Sequence, residues 1–339
     1  MPENRISTKI TPHLYLLLAT VIAILLIWHT IDIFLLAFAG ILVAIIIRSL
    51  SQLVSKYSKL PPYITVTVIL IAIISLFTGV GLIVAPSVSK QISQLYTDIP
   101  EAWNKFNNDF FQYLNISTNT TTSQALDLPK TLAKVQNVPS KVGTIFTSTF
   151  GFIANIFVIL FFGIALAYQP EIYTNGLINL FSKKRQRKIK EILNDTTETL
   201  QYWLAGKAFS MLIIGLLTWA GLWLLDIPLA FTLALFAALL SFIPNIGPIF
   251  SAIPAILLAL LKSPMFALYV ALLYVVIQTI ESYLITPLIQ QKSISLPAAL
   301  IVFTQLIMSI LVGILGLTLA TPLLAVISVV VKHTYLSED

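Results

Sequence analysis

The chain has 339 residues, of which 58% are hydrophobic and only 10% charged; a soluble domain carries about 25% charged residues, and a water-soluble fold of this size could not hide so much apolar surface. The net charge of +6 gathers in short loops beside apolar runs, which marks orientation in a membrane rather than affinity for nucleic acid. With no cysteine and three dispersed histidines, His13, His29 and His333, disulfides, thiolate catalysis and zinc-ligand spacings are excluded, and no cofactor is expected.

The first apolar run covers 12–29 and the second 31–47, parted by His29-Thr30-Ile31-Asp32, where the charge of Asp32 calls for an interface. The first run reads as an uncleaved helix and not a signal peptide, because the cleavage-like Ala37-Phe38-Ala39 falls inside the second run. Arg48, Lys56 and Lys59 bring the chain back to the cytoplasm, and a third run, 62–85, leads outward. Residues 1–85 are therefore expected to hold transmembrane helices 1–3.

Residues 86–142 are expected to form a small helical extracytoplasmic segment. Val88, Ile92, Leu95, Ile99, Trp103, Phe106, Phe110 and Leu114 recur every three or four positions and share one apolar face. This segment reads equally as a cap or subunit contact and as an insertion lying on the membrane surface. Residues 143–169 form transmembrane helix 4. Residues 170–205 follow as a basic, amphipathic cytoplasmic segment. In it Lys183, Lys184, Arg185, Arg187, Lys188 and Lys190 carry no acid among them, which fixes orientation and suits contact with membrane lipid. The helix at 186–204 keeps Ile189, Leu193, Leu200 and Leu204 near one face and is expected to lie along the inner surface.

Residues 206–335 form the expected transport core. A run from 208 to 225 leads to Asp226. Next come two apolar arms, 229–243 and 249–261, around Pro244-Asn245-Ile246-Gly247-Pro248, with Pro254 in the second arm. A single helix, 265–286, ends at Thr286-Pro287. Two further arms, 298–312 and 317–331, flank Gly313-Ile314-Leu315-Gly316, with Pro322 in the second. An offset of 69 residues lays Pro228 on Pro297 and Gly247 on Gly316, and brings Pro254 within one position of Pro322. Each arm would make about 20–23 Å of helix, short of about 30 Å of hydrocarbon. The tips carry no charge. Re-entrant hairpins are therefore expected in preference to full spans. With one span between them, the hairpins enter from opposite sides, so that 206–262 and 265–332 form an inverted repeat. The expected fold class is an all-α polytopic membrane protein: transmembrane helices, two inverted Gly/Pro-broken re-entrant hairpins and a helical extracytoplasmic insertion.

Glu281 is the one acid well inside an apolar run, with Gln278 on the same helical face. An intramembrane carboxylate is a functional-site candidate by default; it suits a proton, a sodium ion or a substrate hydroxyl, or anchors a hairpin tip. Asn245, Gly247, Gly313 and Gly316 would present free backbone groups at the tips. Pro244, Pro248, Pro254, Pro287 and Pro322 would shape the hairpins. No metal site is expected beyond a sodium ion at Glu281. Gln305 and Asn155 read as packing contacts.

The stretch 200–332 resembles the autoinducer-2 exporter family of bacterial membrane proteins, also called the predicted-permease family. Ser241-Phe242-Ile243-Pro244-Asn245-Ile246-Gly247-Pro248 is similar to its Ile-Pro-x-x-Gly-Pro signature. Gln278-Thr279-Ile280-Glu281 with Thr286-Pro287 is similar to its Gln-x-x-Glu and Thr-Pro stretch. Gly313-Ile314-Leu315-Gly316 with Ala320-Thr321-Pro322 is similar to its Gly-x-x-Gly and Ala-x-Pro ending. The first 200 residues match in layout alone. The chain departs at Leu204-Ala205-Gly206-Lys207, where the family often has Leu-x-Gly-Gln, and at Tyr283, near which the family often has Asn. The resemblance implies a homo-oligomeric secondary transporter of the bacterial inner membrane, with a pentamer as the assembly. It also implies export of a signalling-type solute or sodium–proton exchange.

The leading expectation is secondary export of a small polar solute through a site between the two hairpins, with both termini cytoplasmic. The alternatives are a sodium/proton antiporter that uses Glu281, and a non-transporting scaffold or passive pore. An enzyme is not expected, since no aspartate lies deep in a span and no Ser–His pair appears. ATP drive is not expected either, because the Gly-x-x-x-x-Gly-Lys loop is missing.

Overall fold

The computed structural model describes residues 12–58, 60, 61, 63–76, 78, 79, 81, 82, 142–290 and 296–335. The expected extracytoplasmic segment lies outside these, save for its last residue. Among the described residues every regular element is a helix.

Helix α1 is Pro12–Ser58 and α2 is Tyr63–Leu76. The break expected at His29–Asp32 does not form. Nothing at 29–32 stops a helix, since neither Gly nor Pro is present, and the exposed Asp32 keeps its charge off the protein core. A charge locates an interface but does not end a helix. Helices α1 and α2 are joined where the hydroxyls of Ser51 and Thr65 meet at 2.6 Å in a buried contact. Helix α3, Val142–Tyr168, packs along α1. Arg48 closes that contact by donating from Nη1 to the Ala167 carbonyl at 3.1 Å.

At Gln169 the chain bends by 87° into the short helix α4, Pro170–Asn179. The ring of Pro170 disfavours helical geometry in the residue before it, and Gln169 accordingly sits at φ −133°, ψ 58°. Helix α5, Lys183–Leu224, then runs without interruption for 42 residues, about 63 Å. The expected division into a surface helix at 186–204 and a span at 208–225 is therefore absent. Gly206 is the only weak helix former at that junction, and one interior Gly costs only about 1 kcal/mol. Leu200 and Leu204, just before it, are buried in a shared core with Leu35, Ala39 and Leu42 of α1.

The first broken segment comprises α6, Ala230–Leu240, and α7, Ile246–Lys262. Its ends meet: Lys262 donates to Asp226 Oδ2 at 3.0 Å and to the Asp226 carbonyl at 3.1 Å. The two arms and their neighbours share an apolar core of Leu222, Leu233, Ala237, Ala255, Leu258 and Val270. Helix α8, Pro264–Ile280, starts at the Ser263 cap and passes into a π-helical turn, Glu281–Ile285, and then α9, Thr286–Gln290. In that turn the Thr286 amide reaches the Glu281 carbonyl, five residues back. Pro287 follows, without an N–H and with a ring that crowds the preceding turn, which favours such an irregularity.

Helix α10, Ala298–Tyr335, contains the second break. Gly313 sits at φ 67°, ψ −142°, a conformation open in practice only to glycine. Gly316 lies against the Met308 carbonyl, eight residues back, a separation of about 12 Å in a continuous helix, so α10 consists of two arms, 298–312 and 314–335. Among the described residues four helices are long and apolar enough to cross a membrane, with α10 taken at its full length, or five if the bent α3–α4 pair is one span.

Candidate functional site

The two breaks have a common construction. At the first tip Asn245 takes a left-handed φ of 65°, and at the second Gly313 takes 67°. Beyond each tip stands a glycine against a carbonyl of the preceding arm. A Cβ on Gly247 would collide with the Leu240 carbonyl, and one on Gly316 with the Met308 carbonyl. These are the two glycines that the 69-residue offset superposes. In both segments a hydrogen in place of a side chain lets the second arm start beside the end of the first.

Beside the first tip lies a cavity of about 230 Å³. Its wall comes from four parts of the chain. Trp203, Lys207 and Ser210 come from α5, and Pro244 and Asn245 from the first tip. Gln278, Glu281, Ser282 and Thr286 come from the α8–α9 region, and Leu296, Ala298, Ile301 and Thr321 from the second segment. The π-helical turn begins at Glu281, and such turns recur at functional sites because they re-aim side chains.

The centre of the wall is an ion pair. Lys207 Nζ donates to Glu281 Oε1 at 3.3 Å, and Ser210 Oγ donates to the same oxygen at 3.2 Å. Each charged side chain is only 9% exposed. Charges so far from water persist only when paired, since removing either would strand the other. Gln278 Nε2 donates to Ser282 Oγ at 3.4 Å, while Gln278 Oε1 and the Thr321 hydroxyl have no partner among the described residues. Behind the tip, Gln305 Nε2 donates to the Pro244 carbonyl at 3.2 Å.

The structure thus gathers Pro244, Asn245, Gln278 and Glu281 on one cavity wall. The remaining sequence candidates do not line it: Gly247 lies behind the first tip, Gly313 and Gly316 at the second break, and Pro254 and Pro322 inside their arms. Pro248 opens α7, where its carbonyl accepts from Ser251 Oγ at 2.9 Å, and Pro287 follows the π turn. Lys207, Ser210, Trp203 and Thr321 were missed as site residues. The signal for Lys207 was available, because it is an ionisable residue at the head of a long apolar run, the same criterion that singles out Glu281.

The family model described as AI-2E family transporter matches residues 15–336. The chain is 22% identical to "Putative transport protein YueF" of Bacillus subtilis (strain 168) over 279 residues, 79% of this chain and 76% of that protein. It is 32% identical to "AI-2 transport protein TqsA" of Escherichia coli (strain K12) over 139 residues, 40% of each. It is 28% identical to "Putative transport protein YrrI" of Bacillus subtilis (strain 168) over 154 residues, 45% of this chain and 44% of that protein.

Proposed function

Because the chain belongs to the AI-2E family of transporters, we propose that it is a secondary transporter which exports a small polar solute of the signalling-molecule type across the bacterial inner membrane. It is an integral membrane transport protein and not an enzyme. The observation that carries the proposal is the cavity on which both broken segments converge, with one buried ion pair in its wall. Broken helices in corresponding places, with polar groups between them, are the design of inverted-repeat transporters.

In this reading the two segments are re-entrant hairpins. The first supports it by length: α6 has 11 residues and α7 has 17, about 17 and 26 Å, each below about 30 Å of hydrocarbon. Its ends, Asp226 and Lys262, also return to the same place. Both termini face the cytoplasm, and the protein works as a homo-oligomer. AI-2, in the name of the Escherichia coli relative, is one candidate solute. Sodium/proton antiport at Glu281 is the second reading, favoured by the burial of that carboxylate. In it Lys207, bonded to Glu281 Oε1, would compete with the sodium ion for the carboxylate.

The test is a vesicle assay. Purified protein is reconstituted in liposomes loaded with a defined mixture of AI-2, sugars and amino acids, and proton and sodium gradients are imposed separately. At least one solute should leave faster than from empty liposomes, and faster under a gradient. Glu281→Gln should abolish that gain while the protein still inserts. Retention of every solute at the rate of empty liposomes would overturn the transport reading. Proton movement driven by sodium alone would select antiport.

A further inference from the structure

The ion pair is under-satisfied for so buried a place. An ammonium carries three N–H donors, yet among the described residues Lys207 Nζ makes one hydrogen bond, to Glu281 Oε1. That same oxygen takes the Ser210 hydroxyl, and Oε2 accepts from no described residue. On the same wall the carbonyl of Gln278 and the hydroxyl of Thr321 are without partners among the described residues. Spare donors on a buried cation, a spare oxygen on a buried anion and an unpaired carbonyl are costly together. The cavity beside them is the space in which something can complete them.

The unpaired groups define what that something must be. The spare N–H groups of Lys207 call for an anionic acceptor. Glu281 Oε2 and Gln278 Oε1 call for a donor, best a cationic one. A neutral polyol would fill hydrogen bonds but meet neither charge. A lone anion or a lone cation would meet one charge and upset the neutrality of the pair. A zwitterion meets both and leaves the site neutral. Its two charges must also be close together, because Lys207 Nζ and Glu281 Oε1 are 3.3 Å apart. In an α-amino acid one carbon separates them. Trp203, Leu296 and Ile301 on the rest of the wall would take an apolar side chain. The Trp203 ring is held there by an edge contact with Phe242, centroids 5.8 Å apart.

We propose that this cavity binds a small α-amino-acid zwitterion, with its carboxylate on Lys207 and its ammonium on Glu281 and Gln278. The inference rests on the reading of this cavity as the transport site, and names its solute class. It also gives Lys207 a specificity role: the residue selects solutes that carry a carboxylate.

The test is equilibrium binding to the full-length protein in detergent, which is independent of transport. Thermal unfolding is followed with each of the twenty L-amino acids, with ribose and with glycerol. The amino acid that stabilises most is then compared with its 2-hydroxy acid and its decarboxylated amine. At least one amino acid should raise the melting temperature, and both analogues should bind at least about tenfold more weakly, since each leaves a buried charge unpaired. Lys207→Gln should bring the amino acid and its amine to nearly equal affinity. Lys207→Arg, which keeps the charge, should retain the discrimination, so the proposal stays testable if Lys207→Gln does not fold. The proposal is overturned if no amino acid stabilises the protein, if either analogue binds as tightly, or if ribose or glycerol binds best. Export of a sugar or of AI-2 in the vesicle assay, with amino acids retained, would remove the solute class and leave the transporter standing. Retention of every solute would remove the transporter itself.

Discussion

Gln305 Nε2 donates to the Pro244 carbonyl at 3.2 Å, so the first arm of the second broken segment is bonded to the tip of the first. Gln305 itself is at 0% exposure, while Pro244 is half-buried. The bond ties the first tip to an arm of the second segment.

Replacement of Gln305 follows from that contact. Gln305→Met removes the hydrogen bond and also the unpaired Oε1. The two effects oppose, so unfolding stability should stay within about 1 kcal/mol of wild type. Gln305→Glu places a carboxylate against the Pro244 carbonyl without water and should lower stability by several kcal/mol or more, as unpaired buried charges do. Thermal unfolding in detergent checks both. Equal melting temperatures for Gln305→Glu and wild type would mean that water reaches this contact.

A double-mutant cycle tests the Lys207–Glu281 pair. Lys207→Met or Glu281→Gln alone strands one buried charge and should cost about 3–5 kcal/mol. The double variant strands none and should be more stable than at least one single variant. Purely additive losses would show that the two side chains do not interact in the folded protein.

The glycines behind the tips should not tolerate a methyl group. Gly247→Ala and Gly316→Ala each drive a Cβ into a backbone carbonyl, and a losing shift of about 1–3 kcal/mol is expected from overpacking. Gly176→Ala is the control. Gly176 lies inside α4 with nothing within 4 Å of the added carbon, so it should gain up to about 1 kcal/mol in helix propensity. Wild-type melting behaviour in Gly316→Ala would rule out the close approach at the second break.

The chain has no cysteine, so single cysteines report topology without background. Membrane-impermeant maleimide should reach Asn245→Cys from outside and Ile314→Cys from the cytoplasm. Both positions are exposed in the structure, Ile314 by 79%. A tag at position 120 should be reached from outside and one at 185 from the cytoplasm. Labelling of both cysteines from one side would rule out hairpins of opposite entry.

Composition and helix breakers were legible without a structure. A chain 58% hydrophobic and 10% charged has to be membrane-embedded, since the cost of exposing or burying each side chain is set residue by residue. The breaks at Asn245 and Gly313 were legible for a similar reason. Backbone sterics and the missing proline N–H act within a few residues, so Pro244, Gly247 and Gly313 mark a turn wherever the segment sits. Charge was a poorer guide. Asp32 suggested a turn that α1 does not make, and the basic cluster suggested a surface helix separate from the span that α5 contains. A charge reports its solvent, and a helix can carry it there unbroken.

The site itself was half legible. Glu281, Gln278, Pro244 and Asn245 stood out as polar or irregular residues in apolar surroundings, and the structure puts them on one wall. Lys207 meets the same criterion at the head of an apolar run, but nothing local pairs it with Glu281, which lies 74 residues away. The solvent and the two breaks follow from short-range physics and can be read along the chain. That α5 delivers its lysine to the carboxylate in the π turn after α8 is a matter of tertiary packing. That depends on which helix packs against which, and packing is the summed result of contacts distributed over the whole chain.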